Sequence, residues 1–301
     1  VRADPDRRGL LYAGTEQGIY YSQDDGRSWQ SLQLNLPITP ITDLAVKEQN
    51  LVAATQGRGY WILDYLTVLH QDNADVREKA AHLFIPRKSI RLTAGGYTDE
   101  PGSAGTNPAV GATIYYSMVE APAPDTEISL SVYESQGVDP IWTWTRKPES
   151  VDDEESKDDP NAPPDLRLLT AEQGLNRFTW DLRYPGMERF DKLIMWADMR
   201  DGPKAVPGEY RATLTVGDVT EEANFDVIAD PRSQSERTDY QMQFDFIIGT
   251  RDLLSRAHVA IRKMRKLRTQ LDVLKTRLEA EPDGDEATAR LIKEIDLIVE
   301  T

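Results

Sequence analysis

Apolar and polar positions alternate in short bursts through most of the chain and then change period near residue 230. Residues 10–13 (Leu-Leu-Tyr-Ala), 19–22 (Ile-Tyr-Tyr-Ser), 41–47, 51–55 and 60–64 are short runs rich in β-branched and aromatic residues. Turn residues separate them at even spacing, which predicts an antiparallel meander. Residues 71–82 are polar and predict a short helical linker, followed by one strand near 83–93 and a Gly/Pro/Ser-rich loop over 94–111. From Ala112 the alternation is clean in 113–119, 127–133 and 142–145, and again in 176–184, 208–216 and 222–229, as half-buried strands require. The stretch 149–165 is almost all acidic or Pro/Asn/Ser, cannot bury a face, and is expected as an acidic loop. After Asp230-Pro231 the apolar positions recur at near-heptad spacing: Ile247, Leu254, Ala257, Ile261, Met264, Leu267, Leu271, Leu274 and Leu278. This predicts a helix from about Asp239 to Ala280, capped by Thr238. Pro282-Asp283-Gly284 ends it, and a second helix over 286–300 makes an αα-hairpin.

The expected domains are therefore 1–70, a meander; 71–111, linker and loop; 112–230, a β-sandwich carrying the acidic loop; and 231–301, a helical hairpin. The fold class is mainly β with an α tail. A chain with 39% apolar and 29% charged residues has enough of both to be globular. Its net charge of -16 repels phosphate backbones, so nucleic acid is not an expected partner. With no cysteine, thiolate nucleophiles, disulfides and Cys-based zinc sites are excluded. No apolar run approaches the ~20 residues that cross a bilayer. The chain carries no signal peptide, but it opens Val1-Arg2-Ala3 as if inside a folded unit, so a missing leader says little about the parent protein.

Ser22, Asp24, Gly26 and Trp29 match the pattern S-x-D-x-G-x-x-W. The physical reason for such a set is local: Asp24 accepts hydrogen bonds from turn amides, Gly26 permits positive φ, and Trp29 packs between sheets. This segment resembles the Asp-box of the β-propellers shared by bacterial sialidases, sortilin-type receptors and the bacterial BNR-repeat "glycosyl hydrolase" group. The run Thr55-Gln-Gly-Arg-Gly-Tyr-Trp-Ile-Leu-Asp64 is similar to the closing strand of that bacterial group, with Gln56 where those proteins usually carry histidine. Arg58 in this run is expected to make a structural salt bridge or backbone contact, with anion binding as the alternative. Residues 176–181 (Asn-Arg-Phe-Thr-Trp-Asp) with Pro207-Gly208-Glu209-Tyr210 resemble the immunoglobulin-like module that follows such propellers and occurs in flagellar hook-capping proteins. The resemblance implies partial propeller blades, then an Ig-like β-sandwich with Trp180 and Tyr210 in its core, in a parent that is exported. It also implies that the Asp-box is a fold element rather than an active site.

One constellation has the composition of a sugar site. Asp181, Glu188, Asp191, Asp198 and Asp201 lie among Trp180, Tyr184, Phe190 and Trp196. Glycoside cleavage needs two carboxylates flanking the bond and aromatic faces for the ring. If the chain is a glycoside hydrolase, Asp181, Asp191 and Asp198 are the catalytic candidates, with Trp180, Tyr184 and Trp196 binding substrate. The leading expectation is instead a non-catalytic carbohydrate- or protein-binding region. A third is a scaffold whose helical tail forms a homo-oligomer. His70, His82 and His258 show no ligand spacing, so neither metal nor cofactor is expected. The basic run 262–268 is expected to pair with acidic residues on the neighbouring helix or another domain.

Overall fold

A computed structural model describes residues 1–92, 105, 107–146, 169–190, 192–194, 201–280 and 286–300. The chain is mainly β with a C-terminal helical region. The described residues form two compact units: those within 1–149, 167–182 and 205–237 make one, and those within 183–204 and 238–301 the other.

The first unit begins with two meanders. Strands β1 (Arg2–Ala3), β2 (Leu11–Gly14), β3 (Ile19–Ser22) and β4 (Gln30–Ser31) form a four-stranded antiparallel sheet in chain order. Strands β5 (Ile41–Lys47), β6 (Asn50–Thr55) and β7 (Tyr60–Leu63) form a three-stranded one. The two share a core of Leu10, Tyr12, Ile19, Leu36, Leu44 and Leu51. Period-2 alternation turns Trp61 and Leu63 toward that core and leaves Tyr60 and Ile62 outside. Two short helices follow, α1 (Thr67–Gln71) and α2 (Ala74–Glu78), the second capped by the Asn73 side chain on the Val76 amide.

The stretch expected as linker and loop contributes to the sheets that come next. Strand β8 (Ala81–Leu83) pairs with β10 (Ala112–Met118), and β10 with β13 (Gly174–Trp180). Strand β9 (Ser89–Arg91) instead runs parallel to β15 (Val219–Ala229), at the edge of a five-stranded sheet ordered β12-β11-β14-β15-β9. In that sheet β11 is Ile128–Glu134, β12 Trp142–Thr145 and β14 Gly208–Val216. The single strand expected near 83–93 is thus two strands in different sheets. Pro86 sits between them; proline has no N–H for a ladder, so the pairing stops there and the chain crosses over.

The two sheets meet through aromatic rings. Trp180 on β13, with no exposed surface, lies 5.4 Å from Tyr210 on β14 and 6.3 Å from Phe225 on β15. Trp144 on β12 lies 4.5 Å from Phe178 on β13. Emptying a site like that of Trp180 costs about 3–5 kcal/mol. Gly111 lets the backbones close in: a Cβ there would stand 2.1 Å from the Trp180 carbonyl oxygen.

The second unit is helical. Helix α3 (Arg237–Glu279) starts one residue before the expected cap, and α4 (Glu286–Glu300) follows. Lys275 of α3 pairs with Asp296 of α4. Among the described residues no helix is long and apolar enough to cross a membrane.

Candidate functional site

The S-x-D-x-G-x-x-W turn joins β3 to β4 and is closed on itself. The Asp24 carboxylate accepts from the Ser22 hydroxyl (2.8 Å), the Ser28 amide (2.9 Å) and the Ser28 hydroxyl (2.6 Å). The buried Ser22 hydroxyl in turn accepts from the Gly26 amide at 2.8 Å. Asp25 and Gly26 both have positive φ, 58° and 87°. The Ser28 hydroxyl, then the Ser28 amide and Ser22, pull the Asp24 carboxyl down to about 2. Such a carboxylate is a poor general acid at any physiological pH. Trp29 corrects one expectation. Rather than packing between sheets it is 39% exposed, and its indole N–H turns back to the Gly26 carbonyl at 3.1 Å.

A related turn recurs twice. Thr15 follows β2 and Thr55 ends β6, and each hydroxyl donates to the carbonyl of the glycine just before the next strand, Gly18 (3.0 Å) and Gly59 (2.7 Å). Trp61 donates its indole N–H three residues back, to Arg58, as Trp29 does to Gly26. The Arg58 side chain is exposed and, among the described residues, has neither the salt bridge nor the backbone contact expected of it.

The structure describes part of the carboxylate and aromatic constellation. Trp180 is enclosed in the core, so no ring face is open to a sugar. Tyr184 packs edge-on against Phe244 of α3 at 4.7 Å. Asp201 pairs with Arg183 at 3.2 Å. Asp191, Trp196 and Asp198 lie outside the described residues. The segment after Pro185 is strapped to one face of α3. Arg251 donates to the Pro185 carbonyl, the Ser255 hydroxyl accepts from the Glu188 amide, and the His258 Nδ1–H donates to the Glu188 carbonyl at 2.6 Å. Arg262 pairs with Glu188, and Arg265 covers the Phe190 ring. The basic run therefore engages this segment through Arg262 and Arg265.

The tightest cluster went unnoticed in the sequence. Asp4, whose side chain has no exposed surface, accepts from the Tyr12 hydroxyl (2.7 Å) and the amides of Asp6 (2.8 Å) and Arg7 (3.0 Å), and meets His70 Nε2 at 2.8 Å. Burial pushes its carboxyl up, but the bonds from His70, Tyr12 and Asp6 outweigh that and hold it below the ordinary value. Burial beside Asp4 pushes the Tyr12 phenol far up. Asp4, Asp6 and His70 are near enough to share a cation. Both Asp4 oxygens are already engaged by the fold, so the cluster is a clasp between β2 and α1. No signal in one sequence links Asp4 with a histidine 66 positions away.

Compared with known families, curated proteins and solved structures, the chain matches none.

Among the sheet edges that stay open in the described residues is the outer edge of β7. No described strand pairs with it. Tyr60 and Ile62 project from it at 79% and 59% exposure. Beside it runs a groove lined by Leu32, Leu34, Leu36, Trp61 and Ile62.

Proposed function

We propose that this chain is a non-catalytic, protein-binding region of an exported BNR/Asp-box propeller protein. In this reading β1–β4 and β5–β7 are consecutive blades, and β8–β15 are an immunoglobulin-like module. Three features support the blades: successive up-and-down meanders on one core, the Asp-box hairpin between the third and fourth strands of the first, and the threonine–glycine turn at the equivalent place in both. The module is supported by its strand order. A three-stranded layer faces a five-stranded one, and a short early strand runs parallel to the last. The Tyr210 hydroxyl also bonds back to the Val206 carbonyl at 2.8 Å, as in the tyrosine corner of such sandwiches.

The observation that carries the binding reading is the unpaired β7 edge beside an apolar groove. An extended segment can add there as a further strand, its backbone completing the ladder and its side chains entering the groove. Catalysis has no such support, because Trp180 is sealed, Tyr184 is packed and the Asp24 carboxylate is consumed by its own turn.

The test offers the purified chain a phage-displayed library of unstructured peptides, a glycan array and a panel of chromogenic glycosides. Selected peptides should bind the chain and lose at least about tenfold in affinity against Ile62→Lys, which puts a charge on the edge. Binding of glycans alone would overturn the strand-addition site. Glycoside turnover that disappears in Asp181→Asn would overturn the non-catalytic reading.

A further inference from the structure

Helix α3 has two opposed faces. The first, carrying Arg251, Ser255, His258 and Arg262 at intervals of four, three and four, holds the segment 185–190. Half a turn away, at about 100° per residue, lies an apolar seam. Phe246, Leu253, Leu267 and Leu274 recur on it at multiples of seven, with Met264 and Leu271 falling between at coiled-coil spacing. The seam is bare over most of its length: Phe246 is 77% exposed, Leu253 58%, Met264 64% and Leu267 51%. A helix fixed along its polar face and showing a heptad seam on the other is set up to receive a second helix.

The flanks say which kind. From Leu253 to Leu271 there are six arginines and lysines and no carboxylate, in a chain of net charge -16. Arg256 and Lys263 border the seam on one side and Arg268 and Lys275 on the other, at the positions that choose coiled-coil partners. Lys275 already has an acidic mate, Asp296 of α4. Arg256, Lys263 and Arg268 have no ion-pair partner among the described residues. In a parallel pair of identical copies, Lys263 of one would face Arg268 of the other, so like charges oppose self-association. A lipid surface calls for interfacial tryptophan on the apolar face, and α3 carries none.

We propose that the α3 seam binds an acidic amphipathic helix of a partner protein, with leucine-type residues at heptad spacing between Arg256/Lys263 and Arg268 and glutamate or aspartate opposite those cations.

The experiment uses the full chain and two fluorescent synthetic helices of about four heptads, both with leucine at the core positions, one flanked by glutamate and one by lysine. Anisotropy should report binding of the glutamate helix, weakened at least about tenfold in high salt, and at least about tenfold weaker binding of the lysine helix. Lys263→Glu/Arg268→Glu should reverse that preference, and Leu253→Asp/Leu267→Asp should abolish binding of both. The charge-reversed variant touches no apolar side chain, so it decides the matter even if the second variant loses helix by circular dichroism. Failure to bind the glutamate helix, or equal binding of the two, overturns the proposal. So does sedimentation of the free chain as a dimer that Leu267→Asp dissolves, which would make the occupant a second copy. Binding to vesicles containing phosphatidylserine without binding to the glutamate helix would assign the face to a membrane and overturn it as well.

Discussion

Replacing Asp4 with alanine should loosen the first sheet from α1 more than any surface change can. The carboxylate is fully enclosed and accepts from Tyr12, Asp6 and Arg7 while meeting His70. Without it, the Tyr12 hydroxyl is stranded in a residue that has no exposed surface, at a cost of about 1–3 kcal/mol. His70, half-buried, loses a charge-assisted partner for about 1 kcal/mol more. The amides of Asp6 and Arg7 lie near solvent and are rehydrated at little cost. The total is about 2–4 kcal/mol, a large share of the 5–15 kcal/mol typical of a domain. Native-state hydrogen exchange read by mass spectrometry on peptides from 1–22 and 66–73 would register this as amides exchanging roughly 30- to 700-fold faster, each 1.4 kcal/mol being tenfold. The double-mutant cycle with Tyr12→Phe sharpens the case. Phenylalanine removes the stranded hydroxyl, so the second substitution should cost nothing once Asp4 is gone, giving a coupling of about 2 kcal/mol. Acceleration below threefold, or a cycle that closes additively, would refute the idea that this clasp holds the two elements together.

Two further outcomes follow from local geometry. Because the Asp24 carboxyl sits at about 2 in the fold against an ordinary 3.8, its contribution is complete above about pH 4 and fades as the pH falls toward 2; melting scans between pH 5 and 2 should find wild type losing more stability than Asp24→Asn, and parallel curves would contradict this. Gly111→Ala should destabilise by about 2–4 kcal/mol in urea, since its φ is +142° and a Cβ would lie 2.1 Å from the Trp180 carbonyl, whereas Gly57→Ala, at φ +83° with open space around it, should cost only about 1 kcal/mol; equal losses at the two positions would show that close approach is not what Gly111 provides.

Much of the strand order was legible because turn chemistry marks it locally. Thr15 to Gly18, Ser22 to Trp29 and Thr55 to Gly59 each carry their own hydrogen-bonding instructions, and the strands between them lie where alternation places them. What crosses the chain was not legible. The Asp4–His70 clasp links positions 66 apart, and the passage of the chain at Pro86 from one sheet to the other depends on partners that arrive much later, β10 and β15. Periodicity tells a strand from a helix but not which neighbour completes it.

The helical tail shows where pattern reading inverts. Hydropathy places the apolar stripe of a helix inward, so the heptad seam of α3 is the face one expects to find covered. Over its middle the opposite holds: Leu253, Met264 and Leu267 are exposed while His258 is 8% exposed. The reason lies in what comes to meet the helix. The segment 185–190 is irregular backbone, and it brings the carbonyls of Pro185, Glu188 and Arg189 and the amide of Glu188, all needing partners. A leucine face can satisfy none of them; Arg251, Ser255, His258 and Arg262 satisfy all four. A polar stripe repeating every three to four residues is therefore as much a docking signal as an apolar one, provided that what docks is a loop.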